Sequence, residues 1–148
     1  MITWHVPKEL LDAKFVVDLT SILDPSEYAW FVVYGFRTRE EQAALYAIWL
    51  KWLEDNPQAD PASGPRAAPP GSSAHEGAGI PGTGEAADLQ VLVDGKVNWQ
   101  YKGPVWRWLV DTVKAHPRLH SLDAIGDTDH VEAVNWRVMA QAAKGGTS

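Results

Sequence analysis

The chain has no cysteine, no cluster of basic residues and no long apolar run. Each absence removes a class of function. Without cysteine there is no disulfide framework, no thiolate catalysis and no cysteine-ligated zinc. The redox compartment stays open, because a cysteine-free fold survives oxidising and reducing surroundings alike. The 13 Lys and Arg are scattered against 19 Asp and Glu, giving a net charge of −6 and a pI near 5.2. Such a distribution offers no stripe for a phosphate backbone, so nucleic acid is not an expected partner. No apolar segment approaches the ~20 residues of a membrane span, and stable membrane insertion is not expected. The first residues, MITWHVPKELLDAKF, lack the basic start, apolar middle and small-residue cleavage site of a signal peptide.

What is present fits a single domain. A chain of 148 residues with 45% hydrophobic and 22% charged residues can bury one core without disulfides or metal to support it. The eight tryptophans suit either that core or a groove for an extended ligand. Pro7 suits a first helical turn, and Leu10, Leu11, Phe15, Leu19, Ile22 and Leu23 follow at helical spacing, predicting a helix over 7–23. Residues 29–36, AWFVVYGF, are short, β-branched and aromatic, as in a buried strand. Thr38 can cap a helix that has Glu40 and Glu41 in its first turn and Ala43, Ala44, Tyr46, Ala47, Leu50 and Leu53 along it, to about Asp55.

Residues 56–74 hold five prolines and read as an irregular loop. ADLQVLV then predicts a strand, DGK (94–96) a tight turn and VNWQY the returning strand. Gly103-Pro104 opens a helix with Val105, Leu109 and Val113 on one face, ended by His116-Pro117. A strand around 130–134 and a helix from Asn135 to about Ala143 complete residues 1–143, with 144–148 as a flexible tail. The irregular alternation of strands and helices, with a hairpin as its clearest pair, predicts an α+β fold with a small, mainly antiparallel sheet. Trp99, Tyr101, Trp106 and Trp108 are expected in the core.

The histidines separate into two groups. His5, His116 and His120 read as solvated or capping side chains. His75 and His130 each sit at a loop–strand junction among carboxylates. A catalytic zinc site commonly takes two His and one Asp or Glu and leaves a fourth position open, and His75, Asp88 and His130 can supply that set. Asp127, three residues before His130, is placed to act as general base. Spacing alone also admits Glu76, Glu85, Asp129 or Glu132 to the set. It leaves Arg37 as a surface residue at a helix start, and Asp127 as a turn residue after Gly126.

Four blocks in order sharpen this reading. They are Tyr34-Gly35-Phe36-Arg37-Thr38 with Gln42 and Leu45-Tyr46; Pro70-Gly71-Ser72-Ser73-Ala74-His75; Gly84-Glu85-Ala86-Ala87-Asp88; and Asp127 to His130. Together they resemble the M15-type zinc peptidases of bacterial peptidoglycan, a group of D-alanyl-D-alanine carboxypeptidases and dipeptidases and phage endolysin L-alanyl-D-glutamate endopeptidases. The blocks run from residue 34 to 132, about two thirds of the chain. The resemblance implies one zinc ion on His75, Asp88 and His130, with Asp127 as general base. It implies Arg37 on the scissile carbonyl and its oxyanion, with Ser73 and Gln42 supporting the site. It also implies a hedgehog/DD-peptidase-like α+β fold.

The substrate it implies is a peptidoglycan stem peptide; the small size and the lack of a signal peptide favour cleavage at L-Ala-D-Glu, as by an endolysin. The rival readings are D-Ala-D-Ala cleavage and a non-catalytic wall-binding module. A monomer is expected, made in a host cytoplasm without a signal peptide and acting on the wall after membrane permeabilisation. Two departures stand out. Residues 78–83, Ala-Gly-Ile-Pro-Gly-Thr, interrupt the usual spacing between the first histidine and the aspartate, as a six-residue insertion that loop closure tolerates cheaply. Asp129 stands where many relatives carry an aromatic residue, and it is expected to be a solvated acid.

Overall fold

A computed structural model describes residues 1–137. The expected final helix and the tail lie almost wholly outside the described residues. Six strands form one sheet: β1 (Ile2–Trp4), β2 (Ala29–Tyr34), β3 (Ala86–Val93), β4 (Lys96–Val97), β5 (Leu119–Leu122) and β6 (Asp127–Ala133). Their order is β1-β2-β3-β6-β5, with β4 added to the far end of β3. Only β1–β2 is parallel among these pairs; the others are antiparallel. The helices are α1 (Ala13–Leu23), α2 (Arg39–Asp55) and α3 (Pro104–Ala115). The α+β architecture with a mainly antiparallel sheet is as the sequence implies.

One face of the sheet makes the core. Trp30 pairs with Val91 and Val32 with Leu89, and all four side chains are buried. Against them α1 lays Phe15, Leu19 and Leu23, spaced one turn apart, and α3 lays Val105, Trp106, Leu109 and Val113. Trp30 lies edge-on to Trp106, ring centroids 5.6 Å apart, and stacks on Trp108 at 6.0 Å. Asp18, buried on the same helix as the apolar stripe, is matched by a bidentate pair with Arg118 at 2.7 and 2.8 Å.

Several element boundaries differ from the sequence expectation. The first helix begins at Ala13, because Asp12 accepts from the Phe15 amide as its N-cap; Lys8–Leu10 form a separate 3₁₀ turn. Asp94 and Gly95 both have positive φ, the tight turn that the sequence implies, but only Lys96–Val97 of the return pairs with β3. Trp99 is consequently 68% exposed and not in the core. The second helix runs to Asp55 as the sequence implies; along it only Gln42 is buried, and Ala43, Ala44, Ala47 and Leu50 are exposed. β1 and β5 are strands that the sequence pattern did not disclose.

Candidate metal centre

The second face of the same sheet carries polar groups. Asp88 pairs with His130 across β3–β6 and Ala86 pairs with Glu132, so these side chains share one face. Gln90, two residues beyond Asp88, lies on that face too. A register shift between Val32 and Tyr34 sets Tyr34 opposite Asp88 and ends β2 beside the site. A second shift, between Ser121 and Leu122, breaks the alternation of β6 near its start. Residues three apart on a regular strand point to opposite faces; here the Asp127 Oδ2 comes within 3.9 Å of the His130 Nδ1.

His75, Asp88 and His130 converge, with one donor atom from each inside a 4.8 Å cluster. His75 Nε2 is 3.4 Å and His130 Nδ1 3.0 Å from Asp88 Oδ1. Ligands at 2.0–2.2 Å from a tetrahedral zinc stand about 3.3 Å from one another, so the two nitrogens and one oxygen fit that ion. The far ring nitrogens are tied down as well. His75 Nδ1 donates to the Gly35 carbonyl at 2.7 Å, and His130 Nε2 donates to Glu132 Oε1 at 2.8 Å. Such partners fix which nitrogen faces the metal and raise its basicity.

The electrostatics follow from the packing. Burial opposes charge on His130, but its hydrogen bonds to Asp88 and then Glu132 push it up to about 10. A cation bound at Nδ1 would displace a proton held there. Burial likewise opposes charge on Asp88, yet the charge of His75 and the hydrogen bond from His130 hold its carboxyl well below the usual range.

The other candidates fall into place around this cluster. Arg37, its side chain 20% exposed, donates from Nη2 to Asp88 Oδ2 and from Nη1 to Gln42 Oε1, each at 3.3 Å. Gln42 is buried and donates from Nε2 to the Ala68 carbonyl at 2.8 Å, so it holds Arg37 against the loop that follows α2. The Ser73 hydroxyl accepts from the His75 amide at 3.3 Å. Asp127 is 47% exposed at the rim.

The rival carboxylates have other employment. Glu76 is fully buried and accepts from the Gly71 and Ser73 amides, with Arg39 at 3.4 Å, so it organises the turn before His75. Glu85 is 2% exposed with no partner for Oε2, and burial, then the charge of Asp12, push it up to about 8. Glu132 orients His130. Asp129 is not the solvated acid expected: burial, then the charges of Asp88 and Asp127, push its carboxyl up.

The insertion 78–83 forms a closed excursion. The Glu85 amide donates to the Ala74 carbonyl at 2.8 Å, and the Ala78 amide to the Thr83 hydroxyl at 3.0 Å. Gly77 has φ +54, and a Cβ there would run into the Thr83 carbonyl. The ends of the excursion therefore meet, and His75 and Asp88 converge despite the added residues.

One residue near the site, Gln90, was missed by sequence reasoning. It donates to the Tyr101 hydroxyl at 2.7 Å; Tyr101 packs against the core, 5.1 Å from Trp106, and is held with φ +53 where the charges of Asp129, Asp88 and Asp127 reach it. The period of two from Asp88 could have pointed to Gln90.

No protein-family model matches the chain, and no curated protein matches it. Among solved structures the fold is similar to "VanYB in complex with D-Alanine-D-Alanine", with a TM-score of 0.55 and 17% identity over 92% of this chain and 78% of that one. It is also similar to a point mutant of vancomycin resistance D,D-pentapeptidase VanY from a VanB-type cassette, in complex with Zn(II). That TM-score is 0.52, with 18% identity over 92% of this chain and 79% of the other.

Proposed function

We propose that the protein is a zinc-dependent peptidase hydrolysing an amide bond in peptidoglycan stem peptides. The observation that carries this reading is the convergence of His75, Asp88 and His130 with both far ring nitrogens anchored, beside Arg37 and Asp127. The likeness to VanY structures, one with Zn(II) and one with D-Alanine-D-Alanine, supports both the metal and the substrate class.

A zinc ion held there supplies Lewis acidity to the attacking water and the scissile carbonyl. Asp127, at the rim beside His130, takes the proton of the attacking water and later passes it to the leaving amine. Arg37 presents a fixed charge with several donors to the carbonyl oxygen as negative charge develops on it. Gln42 keeps the guanidinium in place, and Ser73 and Glu76 hold the turn that delivers His75.

Two bonds compete for the site. One is L-Ala-D-Glu, as in endolysin-type wall lysis; the sequence blocks are common to both groups of enzymes. The VanYB complex with D-Alanine-D-Alanine favours the stem-peptide terminus. Digestion of purified sacculi with and without a chelator, read by mass spectrometry of new termini, separates them. New N-terminal D-Glu supports the first and free D-Ala the second; no release with zinc restored overturns the peptidase reading in favour of a binding module.

A further inference from the structure

A trough of about 390 Å³ opens beside the metal centre, between the end of β2 and the first turns of α2. It shares Arg37 and Gly35 with the centre, whose Asp88 and His75 those two residues contact. Its walls are apolar, from Val6, Phe36, Ala44 and Leu45, and it has one acid, Glu41.

Glu41 should be engaged elsewhere. Thr38 and Glu41 have capping-box spacing, in which the glutamate reaches back to the amide of the capping threonine. Half of that box forms: the Glu41 amide donates to the Thr38 Oγ1 at 3.1 Å. The reciprocal bond is absent among the described residues, and Glu41 is one of the residues that line the trough. Among the described residues Glu41 forms no ion pair, and the two side-chain hydrogen bonds of Arg37 go to Asp88 and Gln42.

An alkyl-walled trough with one unpaired carboxylate complements an aliphatic stem ending in an ammonium group. We propose that this trough is a specificity pocket for the diamino acid of the stem peptide, with Glu41 receiving its side-chain amine. The inference rests on the peptidase reading but not on which bond is cut. In a stem of L-Ala, D-Glu, diamino acid, D-Ala and D-Ala, one residue separates the diamino acid from either candidate bond. The pocket would select cross-link-free strands, since acylation of that amine removes its charge.

The test uses the zinc-loaded full chain and two soluble peptides, L-Ala-γ-D-Glu-L-Lys-D-Ala-D-Ala and its Nε-acetyl-lysine form. Acetylation is expected to raise KM by roughly twofold to fivefold for the unsubstituted protein, the range of a partly exposed ion pair. In Glu41→Gln the two peptides should be cleaved alike, each at the higher KM. Glu41→Asp should restore part of the discrimination. Equal KM values for the two peptides with the unsubstituted protein overturn the pocket and leave the peptidase reading intact, as does discrimination that persists in Glu41→Gln. Cleavage of neither peptide, nor of sacculi, with zinc present overturns both.

Discussion

The two faces of β3 are made by alternate residues of one eight-residue strand, yet they obey different rules. Ala87, Leu89 and Val91 enter a core where volume and apolar area decide the outcome. Asp88 and Gln90 enter a polar face where hydrogen-bond partners and charge decide it. The same backbone therefore transmits rigidity from one side to the other. Asp88 is followed in the strand by Leu89, which is fully buried and pairs with the equally buried Val32. The contrast shows how a small domain holds a converging cluster of like and unlike charges without disulfide support: the polar face rests on a packed one.

Substitutions on the two faces should fail in different ways. The largest effect is expected for His75→Ala, which should lose bound zinc and at least ~10³-fold in activity while keeping its fold; zinc content and peptide turnover measured on one sample check this. Asp127→Ala should keep the metal and lose about 10²–10⁴-fold in turnover, and a fully active variant would remove Asp127 from the mechanism. On the opposite face, Trp30→Ala should cost about 3–5 kcal/mol in denaturant unfolding. Its folded fraction should bind zinc as the unsubstituted protein does; weakened binding would mean that the two faces are not separable. Glu132→Ala should weaken zinc binding about 10–100-fold with little change in unfolding, as read by competition with a chelator.

The smallest effect tests the boundary between the faces. Glu85 precedes β3, buried and short of a partner. An acid whose pKa is raised from 4.5 to about 8 holds its proton more tightly folded than unfolded. Its contribution to stability is full below about pH 4.5 and falls as the pH rises to about 8. Glu85→Gln should therefore melt with the unsubstituted protein at pH 4 and several degrees above it at pH 8. Equal melting temperatures at both pH values would show that Glu85 is solvated.

Legibility followed the same division. The core face was readable wherever period matched burial: Phe15, Leu19 and Leu23 on α1, Val105, Leu109 and Val113 on α3, and the whole of β3. The extent of α2 was legible from its Thr38 cap, whereas its one buried residue, Gln42, is drawn inward by Arg37 and Ala68, which the sequence alone does not bring together. β1 and β5 are three and four residues long, and their pairing depends on strands distant in sequence. The metal cluster was legible because His75, Asp88 and His130 flank elements whose ends could be placed. The environment of Asp129 and Tyr101 was not, since it arises from side chains that meet only after folding.

The pinched base of the 78–83 excursion carries one more consequence. Because Gly77 and Thr83 close it, with the Ala74–Glu85 bond beneath them, the length of the excursion is uncoupled from the spacing of the ligands. Its tip, at Ile80 and Pro81, is exposed. That makes it a port: a place where peptide or a whole module can be grafted between His75 and Asp88 without either side chain registering the change. The six residues that disguised the motif are the ones that later evolution, or an engineer, is freest to rewrite.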